Sequence, residues 1–251
     1  LNEVNIVTRK LGTMKLRSSV MNEDMISSAE LSRAACCNLG ESFVTNPSVD
    51  VSYSDAATGA KQIKLLGLSG TYVQMLTENI PNYRGAAAPY GLGYVPGPWM
   101  QSIQVSKGTS SVKNGYEAIT GQINVEFKKP QLPEADWVSA NLFASTTNRY
   151  EANADATLKL SKRWSTSLLA HYENETKAHD GNDDGFVDIP QVEQYNVWNR
   201  WAYMGDHYVF QAGIKALSET RTSGQANHGG TMHSGDLYKV GIDTERYEFF
   251  T

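Results

Sequence analysis

No stretch of this chain approaches the eighteen or so consecutive apolar residues that a membrane-crossing helix needs, and the mean hydropathy of -0.43 agrees. That absence excludes helical membrane spans but not barrel strands, whose hydropathy signal is much weaker because alternate residues face lipid and lumen. Basic charge is also scarce. Lys and Arg number 22 against 27 Asp and Glu, a net charge of -5, which argues against a nucleic-acid surface. Cysteine is limited to the adjacent pair Cys36-Cys37, and neighbouring cysteines can form only a strained vicinal bridge. Finally, there is no nucleophile elbow, phosphate loop or zinc-protease signature. An enzyme therefore has little behind it.

What is present is organised in two parts. The 251 residues suffice for one large domain or two ordinary ones with a substantial core. Ile103 and Val105 alternate with Gln104 and Ser106, and Ile123 and Val125 with Asn124 and Glu126, so each segment reads as a half-buried strand. Gly108, Gly115 and Gly121 punctuate the joins, where close backbone approach or a positive φ requires glycine. Local pattern alone also fits an ordinary mixed domain with glycine turns.

The order of the segments is more specific. Leu65-Leu66-Gly67-Leu68-Ser69-Gly70 and Thr77-Glu78-Asn79-Ile80-Pro81 precede Met100-Gln101-Ser102-Ile103-Gln104-Val105-Ser106-Lys107-Gly108-Thr109-Ser110-Ser111, and Gly115-Tyr116-Glu117-Ala118-Ile119-Thr120-Gly121-Gln122-Ile123-Asn124-Val125 follows. This series resembles the plug domain of TonB-dependent outer-membrane receptors, in order, spacing and glycines, over most of residues 3–130. The resemblance implies a mixed α+β plug over residues 1–130, followed over 131–251 by antiparallel strands of a transmembrane β-barrel that the plug closes.

Residues beyond Pro130 carry the alternation a barrel needs. Val138, Ala140, Leu142 and Ala144 oppose Ser139, Asn141 and Ser145, with Phe143 the exception. Ala152, Ala154, Ala156, Leu158 and Leu160 alternate with Glu151, Asn153, Asp155, Thr157 and Lys159. Trp164, Thr166, Leu168, Ala170 and Tyr172 alternate with Ser165, Ser167, Leu169, His171 and Glu173, and further strands are expected around 195–203, 208–216 and 237–244. Each is about the length of a tilted membrane strand. A soluble antiparallel sandwich has the same alternation. The joins at 148–150, 162–163 and 205–206 are short while 175–193 and 218–234 are long, which would place the long pair outside the cell. Trp137, Tyr150, Trp164, Trp201, Tyr203 and Tyr208 stand at strand ends, where interfacial girdles form. About six strands are visible of the roughly 22 in plugged transporters. The sequence starts without a secretory signal and without a recognisable TonB box, so both ends are expected to be truncated.

Within the first part, Asn22 and Ser27-Ser28 are expected to cap a helix over 29–43, ended by Asn46-Pro47 before a strand over 49–52. Cys36 and Cys37 read as small packed residues, or as soft ligands which with Met75 or Met100 would select copper(I). The family layout places substrate on loops 53–61 and 83–99, with Tyr53, Asp55, Tyr83, Arg84, Tyr90, Tyr94 and Trp99 as candidate contacts. The alternative is that these aromatics pack the plug against the barrel wall.

A second motif is Asp180-Gly181-Asn182-Asp183-Asp184-Gly185-Phe186-Val187-Asp188. Oxygen ligands from Asp180, Asn182, Asp184, the Phe186 carbonyl and Asp188 match the first half of an EF-hand loop, which suits calcium. Position twelve is Gln191 and not a glutamate, although Glu193 lies beyond; a solvated acidic loop is the other reading. His228 and His233 are candidate transition-metal ligands in a loop.

The resemblance implies an outer-membrane active transporter in a Gram-negative bacterium, set among outer-membrane lipid. It would be energised by the TonB protein of the inner membrane, with a surface lipoprotein as a further partner. The segment at 114–122 lacks the Tyr-Gly-(Ser/Thr)-Arg-Gly-Ala-Asn-Gly-Val run of glycan importers. A scarce metal complex or cofactor such as a siderophore, haem, cobalamin or copper is therefore the expected cargo. An oligosaccharide importer and a non-transporting adhesin are the alternatives.

Overall fold

A computed structural model of the chain describes residues 14–15, 22–34, 37–44, 46–69, 72–110, 116–130, 138–226 and 237–251. The elements of the first unit are β1 (Met14–Lys15), β2 (Asn22–Ser27), α1 (Ser28–Arg33), β3 (Val49–Asp55), β4 (Ala60–Leu65), β5 (Leu68–Ser69), β6 (Val73–Thr77), β7 (Ile80–Pro81), β8 (Met100–Lys107) and β9 (Gly121–Phe127). They form one sheet in the order β1-β2-β8-β9-β6-β7 and a smaller one in the order β3-β4-β5. β8 and β9 pair antiparallel with Ile103 opposite Val125 and Val105 opposite Ile123, so the four apolar side chains share one face. All four are fully buried, together with Leu65, Leu76 and Phe127. Each contributes roughly 1.5–3 kcal/mol of transfer free energy.

Gly121 shows why the join at β9 needs its glycine. A Cβ there would lie 2.2 Å from the Ser106 carbonyl oxygen and 2.5 Å from Leu65 Cδ2.

The entry region corrects the expected helix over 29–43. Only α1 is α-helical; a single 3-10 turn follows at Glu41–Phe43, and Asn38 instead bridges to Pro96. The Glu41 carboxylate explains the break, because it takes the Cys37 N–H at 3.1 Å and the Asn38 amide at 3.1 Å. Those groups fold the chain back on itself and leave the i to i+4 ladder. Asn22 opens β2 and is not a cap, and Ser27, although at the N-cap position, makes no capping bond. β3 runs three residues past the expected strand end, to Asp55.

The second unit is a six-stranded antiparallel sheet in strict chain order: β10 (Val138–Ala144), β11 (Arg149–Lys159), β12 (Trp164–Glu175), β13 (Gln191–Met204), β14 (Val209–Gly224) and β15 (Lys239–Phe250). Its burial is inverted relative to a soluble sheet. Glu151, Asn153, Asp155, Ser167, His171, Gln194, Asn196, Arg200, Lys215 and Glu219 are buried, whereas Leu142, Leu158, Leu168, Val197, Trp201, Ile214, Tyr247 and Phe249 are exposed. The polar face closes on the first unit and the apolar face points away. A soluble sandwich would bury the other face. The chain is thus a mixed α+β plug against an open antiparallel wall, part of a barrel.

The joins are short at Asn148, which takes a φ of 61°, and at Gly205, whose N–H donates to the Tyr208 carbonyl. Residues 176–190 form the long connection. The second expected loop, 218–234, begins later, because β14 continues to Gly224 and pairs with β15 from Gly213↔Phe250 to Gly224↔Lys239. Ser218, Thr220 and Thr222 are polar on the outer face there, which reads as loop in sequence although Thr suits a strand. Trp137, Gly115, Cys36 and the His228 and His233 pair lie outside the described residues.

Candidate ligand mouth between plug and wall

Two plug segments build the site. The β3–β4 hairpin turns through Asp55, whose carboxylate accepts the Thr58 N–H at 3.0 Å and the Thr58 hydroxyl; those bonds hold the Asp55 carboxyl below its usual range. The hairpin ends at Gly59, with φ of 67°, directly under the wall. A Cβ at Gly59 would meet Pro190 Cγ at 3.0 Å and an Arg221 guanidinium nitrogen at 3.2 Å. The second segment, 83–99, is folded by 3-10 turns at Gly85–Ala87 and Gly97–Trp99. Gly91 lies so close to Tyr83 that an added Cβ would sit 2.6 Å from the tyrosine Cβ.

The seven candidate contacts separate into two groups. Tyr53 and Tyr90 line a small cleft of about 70 Å³ with Lys61 from the plug and Arg149, Glu173, Glu175, Pro190, Glu219 and Arg221 from the wall. Asp55 is exposed at the hairpin tip beside it. Arg84 is exposed and ion-paired with Glu117 at 2.7 Å, whose hydrogen bond raises the guanidinium pKa.

Tyr83, Tyr94 and Trp99 form the other group, and all three are buried. The Tyr83 hydroxyl accepts from Lys215 Nζ at 3.0 Å, and the Tyr94 carbonyl accepts from the Asn196 amide at 3.0 Å. Burial pushes the Tyr94 phenol up. Trp99, at 0 % exposure, lies with its ring centroid 6.4 Å from that of Trp198 and 6.5 Å from that of His171. These three side chains pack the plug onto the wall, the alternative role read for such aromatics.

Sequence reasoning missed the wall's share of the cleft. Its signal was the inward parity of β11, β12 and β14, which carries Glu173, Glu219 and Arg221 to the plug side. Arg149 reaches Glu41 of the plug at 2.8 Å and Glu151 and Glu173 of the wall at 2.7 and 2.9 Å. Arg221 holds Glu219 at 2.6 Å and has its guanidinium carbon 5.2 Å from the Tyr90 ring.

Lys61 is different. Its ammonium lies 5.3 Å from the Tyr53 ring centroid, and burial lowers its pKa. A larger cavity of about 520 Å³ shares Lys61 and Pro89 with the cleft and continues along Ile63, Tyr72, Met75, Tyr83 and Leu92.

The metal expectations fall on other regions. Among the described residues, no three His, Cys, Asp or Glu side chains converge as metal ligands. In the 180–188 loop the oxygens turn inward on the loop's own amides. Asp180 accepts from Asp184 and Gly185, Asn182 from Asp184, Asp184 from Phe186, and Asp188 from Gly181. Cys37 is a buried thiol, and Met100 is buried in the plug core.

Comparison with known proteins identifies the first unit. The model of the TonB-dependent receptor plug domain matches residues 15–122. The vitamin B12 transporter BtuB of Vibrio vulnificus (strain CMCP6) is 24% identical over 182 residues, which are 72% of this chain and 29% of that protein. The chain thus spans under a third of that relative's length. Among solved structures, Pseudomonas aeruginosa FpvA bound to heterologous pyoverdines is similar with a TM-score of 0.66 at 14% identity, covering 93% of this chain and 31% of FpvA. The copper transporter OprC gives a TM-score of 0.63 at 16% identity, covering 87% of this chain and 33% of OprC. These structural likenesses carry the fold, a plug seated against barrel strands. Residues 15–122 thus belong to the family of TonB-dependent receptor plug domains, and the rest of the chain shares the fold of the strands that follow the plug in those receptors.

Proposed function

We propose that this chain is the plug and first wall of an outer-membrane active transporter in a Gram-negative bacterium, importing a scarce metal complex or cofactor. The observation that carries the reading is the inverted sheet. Its apolar outer face suits lipid, its charged inner face grips a plug, and a cleft between the two opens beneath the long 176–190 connection. Substrate would bind at that cleft, shift the plug, and let an inner-membrane TonB protein pull it. Relatives named for vitamin B12, siderophore and copper traffic support a chelate as cargo. Calcium on Asp180, Asn182, Asp184 and the Phe186 carbonyl is proposed as an ordering ion for the adjoining loop.

The test is a deletion strain assayed for growth and uptake with iron chelates, haem, cobalamin and copper as sole sources. The expected outcome is loss of uptake for one of these. A defect confined to oligosaccharides would overturn the choice of cargo, and undiminished uptake of every source would overturn transport.

A further inference from the structure

The upper part of the plug–wall joint carries more acid than base. The Arg149 guanidinium alone holds three carboxylates, Glu41 of the plug at 2.8 Å and Glu151 and Glu173 of the wall at 2.7 and 2.9 Å. Glu175 and Glu219 line the adjoining cleft, whose other cations are Lys61 and Arg221. Among the described residues of this node, five carboxylates therefore face three cations. The next row of the wall is balanced, Asp155 with Lys128 at 2.9 Å. Glu151, Glu173 and Glu219 are buried, and a surplus charge withdrawn from water is costly.

Few side chains can offset that surplus. The Cys37 thiol, which hydrogen-bonds Glu151, and the Tyr53 and Tyr90 phenols of the cleft only add negative charge when they ionise. His179 turns its Nε2 to the Thr147 carbonyl at 2.6 Å. His171 is different, because two acceptors face its ring. Nδ1 lies 2.8 Å from Asn153 Oδ1, and Nε2 lies 3.8 Å from Glu173 Oε2. A neutral imidazole has one N–H and answers one of them; an imidazolium answers both. The ring is buried and its centroid is 6.5 Å from that of Trp99, so it sits against the plug itself.

We infer that His171 is a proton-binding site completed by docking, in which the seated plug holds the ring as an imidazolium between Asn153 and Glu173. This goes beyond the transporter reading and needs only the plug–wall joint. The proton is taken from water as the plug seats and returns to water when Glu41 and Trp99 withdraw. Linkage gives the sign. A state that binds one more proton is favoured at low pH and loses that advantage as pH rises through the range where the proton is released. The joint is thus firmer in acid and looser in alkali.

The experiment uses the full-length receptor in detergent, with folding checked by barrel mobility on unheated gels. Nitrogen NMR of labelled histidine, with the His171 signal identified by its loss in His171→Gln, should show both ring nitrogens protonated at about pH 6.5. Hydrogen exchange in residues 37–42, corrected for its intrinsic pH dependence, should quicken about tenfold or more between about pH 6 and about pH 8.5. Amides of β8–β9 should keep their protection throughout. His171→Gln should exchange fast in residues 37–42 at both pH values. Glu173→Gln, which removes the charge facing Nε2 and keeps the shape, should move the wild-type transition to lower pH. A neutral ring bearing only Nε2–H would mean that Asn153 donates its amide to Nδ1, and overturns the inference. Exchange that does not change with pH, a pH dependence that His171→Gln leaves intact, or a transition that Glu173→Gln does not move overturns it too. None of these outcomes alters the uptake result, which tests transport separately.

Discussion

At the scale of single residues, the described cysteine shows how the plug–wall joint sets chemistry. Cys37 is buried, and desolvation, reinforced by Glu151 and Glu41, pushes its thiol up. A thiolate is the reactive and metal-binding form, so Cys37 is inert at neutral pH as long as the plug stays docked. The sign for stability follows. A thiol whose folded pKa is raised keeps its proton when the unfolded chain ionises, so its contribution is fully present below the unfolded value and is lost as pH rises through the folded one. Iodoacetamide at pH 8 should therefore leave Cys37 unlabelled in the folded receptor and label it rapidly in guanidinium. Mass-spectrometric mapping of the labelled peptide distinguishes Cys37 from Cys36, and prompt labelling of Cys37 in the folded protein would contradict the buried assignment.

Among the elements, the acidic connection is the one proposed to hold an ion. Its turn is already shaped by Asp180, Asn182 and Asp184 accepting backbone N–H groups, with Asp183 at a φ of 57° and Gly185 at 83°. Calcium would add oxygen coordination at about 2.3–2.6 Å to a loop that reaches the plug through Pro190 against Gly59. Calorimetry on the full-length receptor should show calcium binding that Asp184→Ala abolishes, and a chelator should raise protease cleavage within 176–190. Absence of both effects leaves a solvated loop. How much could be read from sequence followed the same division between elements. β8, β9, β11 and β12 were legible because period-two alternation puts one residue class on each face. The expected helix over 29–43 differs from the structure because Glu41 bonds back to Cys37 and Asn38 while Asn38 bridges to Pro96, and that distant partner has no local signature. The mouth was half legible. Loops 53–61 and 83–99 follow from the resemblance to the plug family, but which aromatics face outward depends on the wall.

For the molecule as a whole, the two units are held by different forces inside and between them. Ile103, Val105, Ile123 and Val125 give the plug an apolar interior. Its joint to the wall combines apolar contact of Trp99 and Phe127 with Trp198 and ion pairs, Lys128 to Asp155 at 2.9 Å, Arg149 to Glu41 at 2.8 Å and Arg200 to Glu78 at 2.8 Å. Arg200 is the most committed member. Besides Glu78 it donates to the Lys128 carbonyl at 3.0 Å and lies over the Trp198 and Phe250 rings at 4.5 and 5.5 Å. Removing it leaves the largely buried Glu78 carboxylate with Lys129 at 4.0 Å as its remaining cation and takes a donor from the Lys128 carbonyl. Arg200→Ala should therefore weaken plug docking by about 3 kcal/mol. Hydrogen exchange of the full-length receptor should then quicken around residues 78–79 and 128, while amides within β8–β9 keep their protection and the barrel keeps its mobility on unheated gels. The double change Arg200→Met with Glu78→Met should recover most of that loss, because it removes both charges and leaves apolar contact with the two rings. Equal loss of protection throughout the plug would mean that Arg200 supports the plug's own fold and not its attachment to the wall.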